Sequence, residues 1–365
     1  MKYFTCLVSL LLCAALAALV ATPFVDARRI VALGDLHGDF NQSLAVLRLT
    51  GIVDEFNHWV GEDTYLVQLG DVLDVGPDDV RIVRLLMRLQ KEAQAKGGDV
   101  IELLGNHEIR NFKGDYTAVD PQSLAFSGGQ AGRDKLLSNT SKLGMYLRTR
   151  KAIFRYGPFL FMHGGISDAT SSMITSIDKV DEFNAELQKA LVNGTISPMA
   201  QKGLDLTEDE ADEVANPILV RSILNVRCRD LKRVLEKKFP GIQSVVVGHV
   251  PHDPRDFSDW RLCEGLLIDI DFGLSRWKKG DPGHVAALEI EDSTWHVQLI
   301  EASVPVATKS NFIFTFTHRL FRFIVFTLLV VLAALFIVYI LRTVEGRRNV
   351  KPTLLLEKNQ QYGTV

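Results

Sequence analysis

Five short stretches of this 365-residue chain place aspartate, histidine or asparagine beside glycine, each just behind an apolar run. Gly34-Asp35-Leu36-His37-Gly38 follows Arg29–Leu33, and Gly70-Asp71-Val72-Leu73-Asp74 follows Tyr65–Leu69. Gly105-Asn106-His107-Glu108 follows Val100–Leu104, His163-Gly164-Gly165 follows Phe159–Met162, and Gly248-His249 follows Gln243–Val247. A single Gly-Asp is most often a turn, and a single histidine there a hydrogen-bonded structural group. Five in succession, all behind apolar runs, read instead as one converging set.

The donor types define the chemistry. Carboxylate, imidazole and amide oxygen without thiolate suit divalent Mn, Fe or Zn. Two ions about 3.5–4 Å apart need a shared ligand, and hydrolytic two-metal sites are built that way. Asp71, in the second motif, is the expected bridge. Asp35 and His37 complete one ion's protein ligands, and Asn106, His163 and His249 complete the other's. Water between two such cations loses a proton near neutral pH, which is what hydrolysis of a phosphate ester requires.

The apolar runs that position these residues are too short for helices and rich in Val, Leu and Ile, so they read as buried strands. Ligands then gather at the carboxyl edge of an α/β sheet, where glycine lets the backbone turn tightly. Asp79–Lys96 is amphipathic, with Val80, Val83, Leu86 and Met87 on one face, Asp78 or Asp79 as cap, and Gly97-Gly98 as stop. Ser171–Gly241 is charged and helix-like, an expected helical insert. Leu266–Ile270, Val285–Ile290 and Thr294–Ile300 are expected to form a final antiparallel set.

The two ends read differently from the roughly 290 residues between them, which suit one large α/β domain. Leu7–Val20, behind Lys2, is an apolar run shorter than the about 20 residues of a membrane span, so residues 1–27 read as a signal peptide, or else as an uncleaved anchor. Phe323–Leu341 carries no charge and no polar stripe, and Arg322 and Arg342 bracket it. The expected order is a catalytic domain over 28–301, a stalk over 302–320, one transmembrane helix over 321–342 and a short cytosolic tail over 343–365. That is a single-pass type I protein of the secretory pathway or cell surface, with its catalytic domain outside or in a lumen. A net charge of −3, with no long basic block, excludes nucleic acid as an expected partner. Once the signal is removed only Cys228 and Cys263 remain, enough for one disulfide at most. Asn139-Thr140-Ser141 and Asn193-Gly194-Thr195 are glycosylation acceptors if the domain is lumenal.

The motif order Gly-Asp-x-His-Gly, Gly-Asp-x-x-Asp, Gly-Asn-His-Glu, His-Gly-Gly, Gly-His resembles the phosphoprotein phosphatase family of calcineurin-like metallophosphoesterases. Gly105–Asp115, Asn216–Arg221 and Ile270–Ser275 are most similar to its Shewanella-like branch. The resemblance covers about residues 29 to 290 and implies a β-sandwich flanked by helices, with the same six metal ligands. It further implies that His107 is a proton donor to the leaving oxygen, oriented by Asp74, and that Arg221 binds phosphate. Arg110, close in sequence, is a second phosphate-binding candidate.

One position departs from that pattern. The family's second motif carries a phosphate-clamping arginine directly after its second aspartate, and here Val75 stands there. Losing one positioned donor costs on the order of 3 kcal/mol in a transition state. The expected function is a membrane-anchored phosphoprotein phosphatase for Ser/Thr or Tyr. The alternatives are a lumenal or extracellular small-molecule phosphoesterase, and a weakly active binding module for which Val75 is the only support.

Overall fold

The computed structural model describes residues 28–207, 215–221, 227–251, 260–279 and 283–302. All of them fall in one compact unit, Met1–Ala302. The expected signal segment, the expected membrane helix and the expected tail lie outside the described residues. Among the described residues no helix is long and apolar enough to cross a membrane.

Two five-stranded mixed sheets form the core. The first runs β10 (His296–Glu301), β9 (Ala286–Glu291), β1 (Arg29–Leu33), β2 (Tyr65–Gln68), β3 (Asp99–Glu102). The second runs β4 (Ile153–Tyr156), β5 (Phe159–Met162), β6 (Ser244–Val247), β8 (Leu267–Asp269), β7 (Arg261–Leu262). β1, β2 and β3 are parallel, as are β5, β6 and β8, so five of these six strands direct their carboxyl ends into the five motifs.

Side-chain alternation explains why these strands read as unbroken apolar runs. Ile30, Ala32 and Val67 from one sheet pack with Phe159, Phe161, Val246 and Ile268 from the other in the layer between them. The alternate residues Val31, Leu33, Leu66 and Val100 pack outward against α1 (Phe40–Leu49), α2 (Asp79–Gln94) and α6 (Lys142–Arg148). Leu160, Met162, Val245 and Val247 do the same against α8 (Ile177–Asn193) and α10 (Cys228–Lys238). A strand buried on both faces needs no polar alternation. The remaining α-helices among the described residues are α3 (Asn106–Phe112), α4 (Pro121–Phe126), α5 (Gly129–Leu136), α7 (Asp168–Met173) and α9 (Pro198–Leu204). Helices α7 to α10 lie between β5 and β6 in sequence, in the charged segment read as helical.

The expected strands and the expected helix appear within two residues of their sequence bounds. α2 buries Val80, Ile82, Val83, Leu86 and Leu89, while Met87 is only partly covered. Asp78 makes no side-chain cap; Asp79 accepts the Val80 amide at 2.6 Å instead. One expectation is corrected. Leu267–Asp269 does not join an antiparallel set with the two last strands but pairs parallel with β6 in the other sheet. β9 and β10 are the antiparallel pair, and they extend the first sheet beside β1. Strand polarity is set by the crossover, which periodicity does not encode.

Cys228 and Cys263 are joined in a disulfide that closes a 35-residue separation, tying the start of α10 to the turn between β7 and β8.

Candidate active site

Three of the five motif loops are bent by non-glycine residues in the left-handed region. His37, Asp71, Asp74, Val75 and His249 all have positive φ, between 39° and 71°. Left-handed conformations are uncommon away from glycine, and functional loops are where such strain concentrates. The neighbouring glycines meet a close approach: a Cβ on Gly248 would stand 2.8 Å from Asp35 Oδ1. Glu108 holds two loops together. Its carboxylate accepts the backbone N–H groups of Asp71 and Gly105 at 2.8 Å and of Val72 and Leu73 at 3.0 Å. Gln68 spans the first two loops, donating to Gly34 O at 3.1 Å and accepting from Gly70 N at 2.9 Å. The Ser275 hydroxyl donates to His37 O at 3.1 Å.

These constraints bring the six candidate ligands together, all of them buried. Asp71 lies at the centre. Its Oδ2 is 3.2 Å from His163 Nε2, 3.7 Å from His37 Nε2 and 3.8 Å from His107 Nε2, and its Oδ1 accepts the His107 amide at 3.0 Å. Asp35 Oδ2 is 3.5 Å from His37 Nε2, and Asp35 Oδ1 accepts the His249 amide at 3.2 Å. Asn106 Oδ1 stands 3.0 Å from His163 Nε2. His163 Nδ1 sits 3.0 Å from Leu69 O, which fixes the proton on Nδ1 and turns Nε2 inward.

The donor atoms form two groups, His37–Asp71–His107 and Asp71–His163–His249, each within 4.8 Å, with Asp71 common to both. Asp35 Oδ2, His37 Nε2 and His249 Nε2 are buried there with no hydrogen-bond partner among the described residues. Buried polar atoms without partners are rare in folded proteins and point to a missing ligand. The oxygen and imidazole set, sharing one carboxylate, fits two divalent ions.

The electrostatics agree. Burial pushes the Asp35 carboxyl up, but His163 and His37 outweigh it and hold it at about 2. Burial likewise opposes His163 and His107 at Asp71, which ends well below the ordinary carboxylate range. Asp71 and Asp35 raise His163 to about 9 against burial. Burial, then the positive charge of His163 and more weakly of Arg221, lowers His249 to about 3. A group of ionised carboxylates beside a neutral imidazole is a ready cation site.

His107 Nδ1 lies 2.8 Å from Asp74 Oδ2, and its Nε2 faces Asp71. Burial lowers the imidazole, yet Asp71 and then Asp74 raise it to about 9. Arg221 is near enough for its charge to reach His249. Arg110 instead pairs with Asp115, Nε to Oδ2 at 4.0 Å. Asp115 is held down first by Thr117 and more weakly by Arg110 and His107. Sequence reasoning quoted Glu108 and Ser275 in motifs without giving them roles, and it missed Gln68; their work is on backbone groups that only the fold brings near.

A two-sheet sandwich that gathers such a set around one shared carboxylate defines a class, the metal-dependent phosphoester hydrolases. The chain belongs to the calcineurin-like phosphoesterase family, whose sequence model matches residues 28–253. It is 32% identical over 267 residues to the uncharacterized protein C1840.07c of Schizosaccharomyces pombe, over 67% of this chain and 73% of that one. It is 25% identical over 273 residues to Shewanella-like protein phosphatase 1 of Plasmodium berghei, over 72% of each chain. A shorter match, 40% identical over 106 residues, is to Shewanella-like protein phosphatase 2 of Arabidopsis thaliana and spans 29% of this chain and 27% of the plant protein. Among solved structures, a cold-active protein-tyrosine phosphatase of a psychrophilic Shewanella shares the fold, with a TM-score of 0.60 and 22% identity over 75% of this chain and 80% of that one. These relatives match both the family and the branch that the motifs resemble.

Proposed function

We propose that the chain is a phosphoprotein phosphatase, anchored in a membrane by its segment 321–342 with the catalytic domain on the lumenal or extracellular side. The observation that carries the catalytic reading is the position of Asp71, shared by both donor groups, with the His107–Asp74 pair beside it. In this reading Asp35, His37, Asp71, Asn106, His163 and His249 hold two divalent ions, which supply Lewis-acid charge and lower the pKa of water. Asp74 accepts the His107 Nδ1 proton at 2.8 Å and so keeps Nε2–H directed into the site. A water oxygen bonds to phosphorus, giving up its proton to solvent, as the ester P–O bond breaks; the electron pair of that bond stays on the leaving oxygen and takes the His107 Nε2 proton. Arg221 adds positive charge on the phosphate side, and Val75 supplies no guanidinium of its own.

The protein-substrate reading rests on the names of the Plasmodium and Arabidopsis relatives. The Cys228–Cys263 disulfide favours an oxidising compartment and so the outward-facing arrangement. The same observation supports a second reading, a small-molecule phosphoesterase, because phosphoproteins are scarcer outside the cytosol. Asn139 and Asn193 are both exposed, as glycan acceptors need to be. The test is to assay the full chain, in detergent with Mn, against phosphoserine, phosphothreonine and phosphotyrosine peptides, nucleotides and sugar phosphates. Preference for peptides supports the proposal, and turnover of metabolites alone selects the second reading. Inertness to every ester with metals bound would leave only a binding module.

A further inference from the structure

Arg133 carries no motif and touches no candidate ligand, yet it is 0% exposed in the middle of the domain. Four groups surround its guanidinium. Nη2 donates to Asp74 Oδ1 at 3.1 Å and to Asp79 Oδ2 at 2.7 Å. Nε donates to Asn111 Oδ1 at 2.6 Å, and Nη1 donates to Ser123 Oγ at 3.1 Å. These partners are themselves tied together. Asn111 Nδ2 donates to Asp74 Oδ1 at 2.8 Å and to His107 O at 2.9 Å. The Ser123 hydroxyl donates to Asp79 Oδ1, and Asp79 Oδ2 accepts the Asp74 amide at 3.0 Å.

The direction of these bonds matters more than their number. Asp74 Oδ1 receives Arg133 and Asn111, which leaves Oδ2 facing His107 Nδ1 at 2.8 Å. Stability alone is a weak reason to keep a buried ion pair, since apolar replacements often cost nothing. Arg133 also cannot replace the phosphate clamp that Val75 lacks, because it is fully enclosed and its Nε, Nη1 and Nη2 are all engaged. What remains for it is orientation: Nη2 bridges Asp74 Oδ1 and Asp79 Oδ2 while Nε and Nη1 are held by Asn111 and Ser123, so the planar guanidinium fixes the direction of its bond to Asp74.

We propose that Arg133 is a positioning residue for the proton-transfer step, locking the Asp74 carboxylate so that His107 Nε2 is aimed at the leaving oxygen. This rests on the acid role assigned to His107 above. A catalytic group displaced by about 1 Å loses about 10²-fold in rate.

The test compares phenyl phosphate with p-nitrophenyl phosphate, two substrates of similar shape whose leaving oxygens differ in their need for a proton. The full chain, in detergent with Mn, is assayed as wild type, His107→Asn, Arg133→Lys, Arg133→Met and His107→Asn/Arg133→Lys. His107→Asn is expected to lower kcat on phenyl phosphate by about 10²-fold or more, and much less on p-nitrophenyl phosphate. Arg133→Lys keeps the charge but not the fork, so it is expected to lose roughly tenfold on phenyl phosphate, with KM and metal content unchanged. In the His107→Asn background it should add almost nothing, because the two act as one unit. Arg133→Met tests the full loss, and if it does not fold, Arg133→Lys and Asn111→Ala carry the same comparison. Equal losses on both substrates, or an Arg133→Lys effect that adds in full to His107→Asn, would overturn the proposal. Full activity of His107→Asn on phenyl phosphate would overturn the acid assignment itself, and this proposal with it.

Discussion

Glu108 Oε2 accepts the backbone N–H of Asp71 at 2.8 Å, a bond that ties the third motif loop to the second across 37 residues of sequence. The same carboxylate also takes the amides of Val72, Leu73 and Gly105, so all four of its acceptor positions are used. A Glu108→Gln amide offers only one acceptor oxygen and turns an NH2 towards two N–H donors. Each buried donor left without a partner costs about 1–3 kcal/mol. We expect a lower Tm and reduced metal content by elemental analysis. Wild-type values for both would mean that the loops are held by other contacts.

Asp71 belongs to both donor groups, so Asp71→Asn should affect both ions at once. Its Oδ2 faces three imidazoles within 3.8 Å, and a neutral amide there leaves them without their shared anion. The expected outcome is loss of stoichiometric metal together with near-complete loss of phosphatase activity. Full rate with metal retained would remove the bridging assignment.

The His107 imidazole, raised to about 9 by Asp71 and Asp74 against burial, is protonated at neutral pH. A proton donor works only in that form, so activity should hold through neutral pH and fall as pH rises through about 9. Asp74→Asn removes one of the three raising charges, Asp71, Asp74 and Glu108, so the alkaline limb of kcat/KM should move to lower pH. A limb that stays in place would show that it reports another group.

Val75 has a φ of 66° at the position where the second motif of the resembled family carries arginine. A β-branched residue is strained in that conformation, and an unbranched one less so. Val75→Arg should therefore fold at least as well as the parent. If the side chain reaches the phosphate, kcat/KM should rise roughly tenfold or more. An unchanged rate would show that Arg221 or another group already fills the clamp.

Glu102, buried at the end of β3, is pushed up from 4.5 to about 8, by burial above all and by Glu108, against the pull of Arg150 and Tyr146. Between pH 4.5 and 8 the folded chain holds a proton that the unfolded chain has released. Rising pH therefore favours unfolding across that window. Glu102→Gln should flatten the decline and leave the variant more stable relative to wild type at pH 8 than at pH 5. Parallel denaturation curves at the two pH values would contradict this.

The ligand loops and the strands behind them were legible in the linear chain because both are local: an apolar run followed by a turn and a donor needs only consecutive residues. Asp35, His37, Asp71, Asn106, His163 and His249 could be named that way, and the fold does bring them together. The pairing of Cys228 with Cys263 could only be allowed for, since two cysteines need not meet. The parallel placement of Leu267–Asp269 beside β6, the Glu108 tie to Asp71 and the Arg133 fork on Asp74 and Asp79 were decided by tertiary structure alone. Each depends on a direction, of a strand or of a hydrogen bond, between residues distant in sequence. Composition and spacing carry no vectors, and burial is what makes those directions matter.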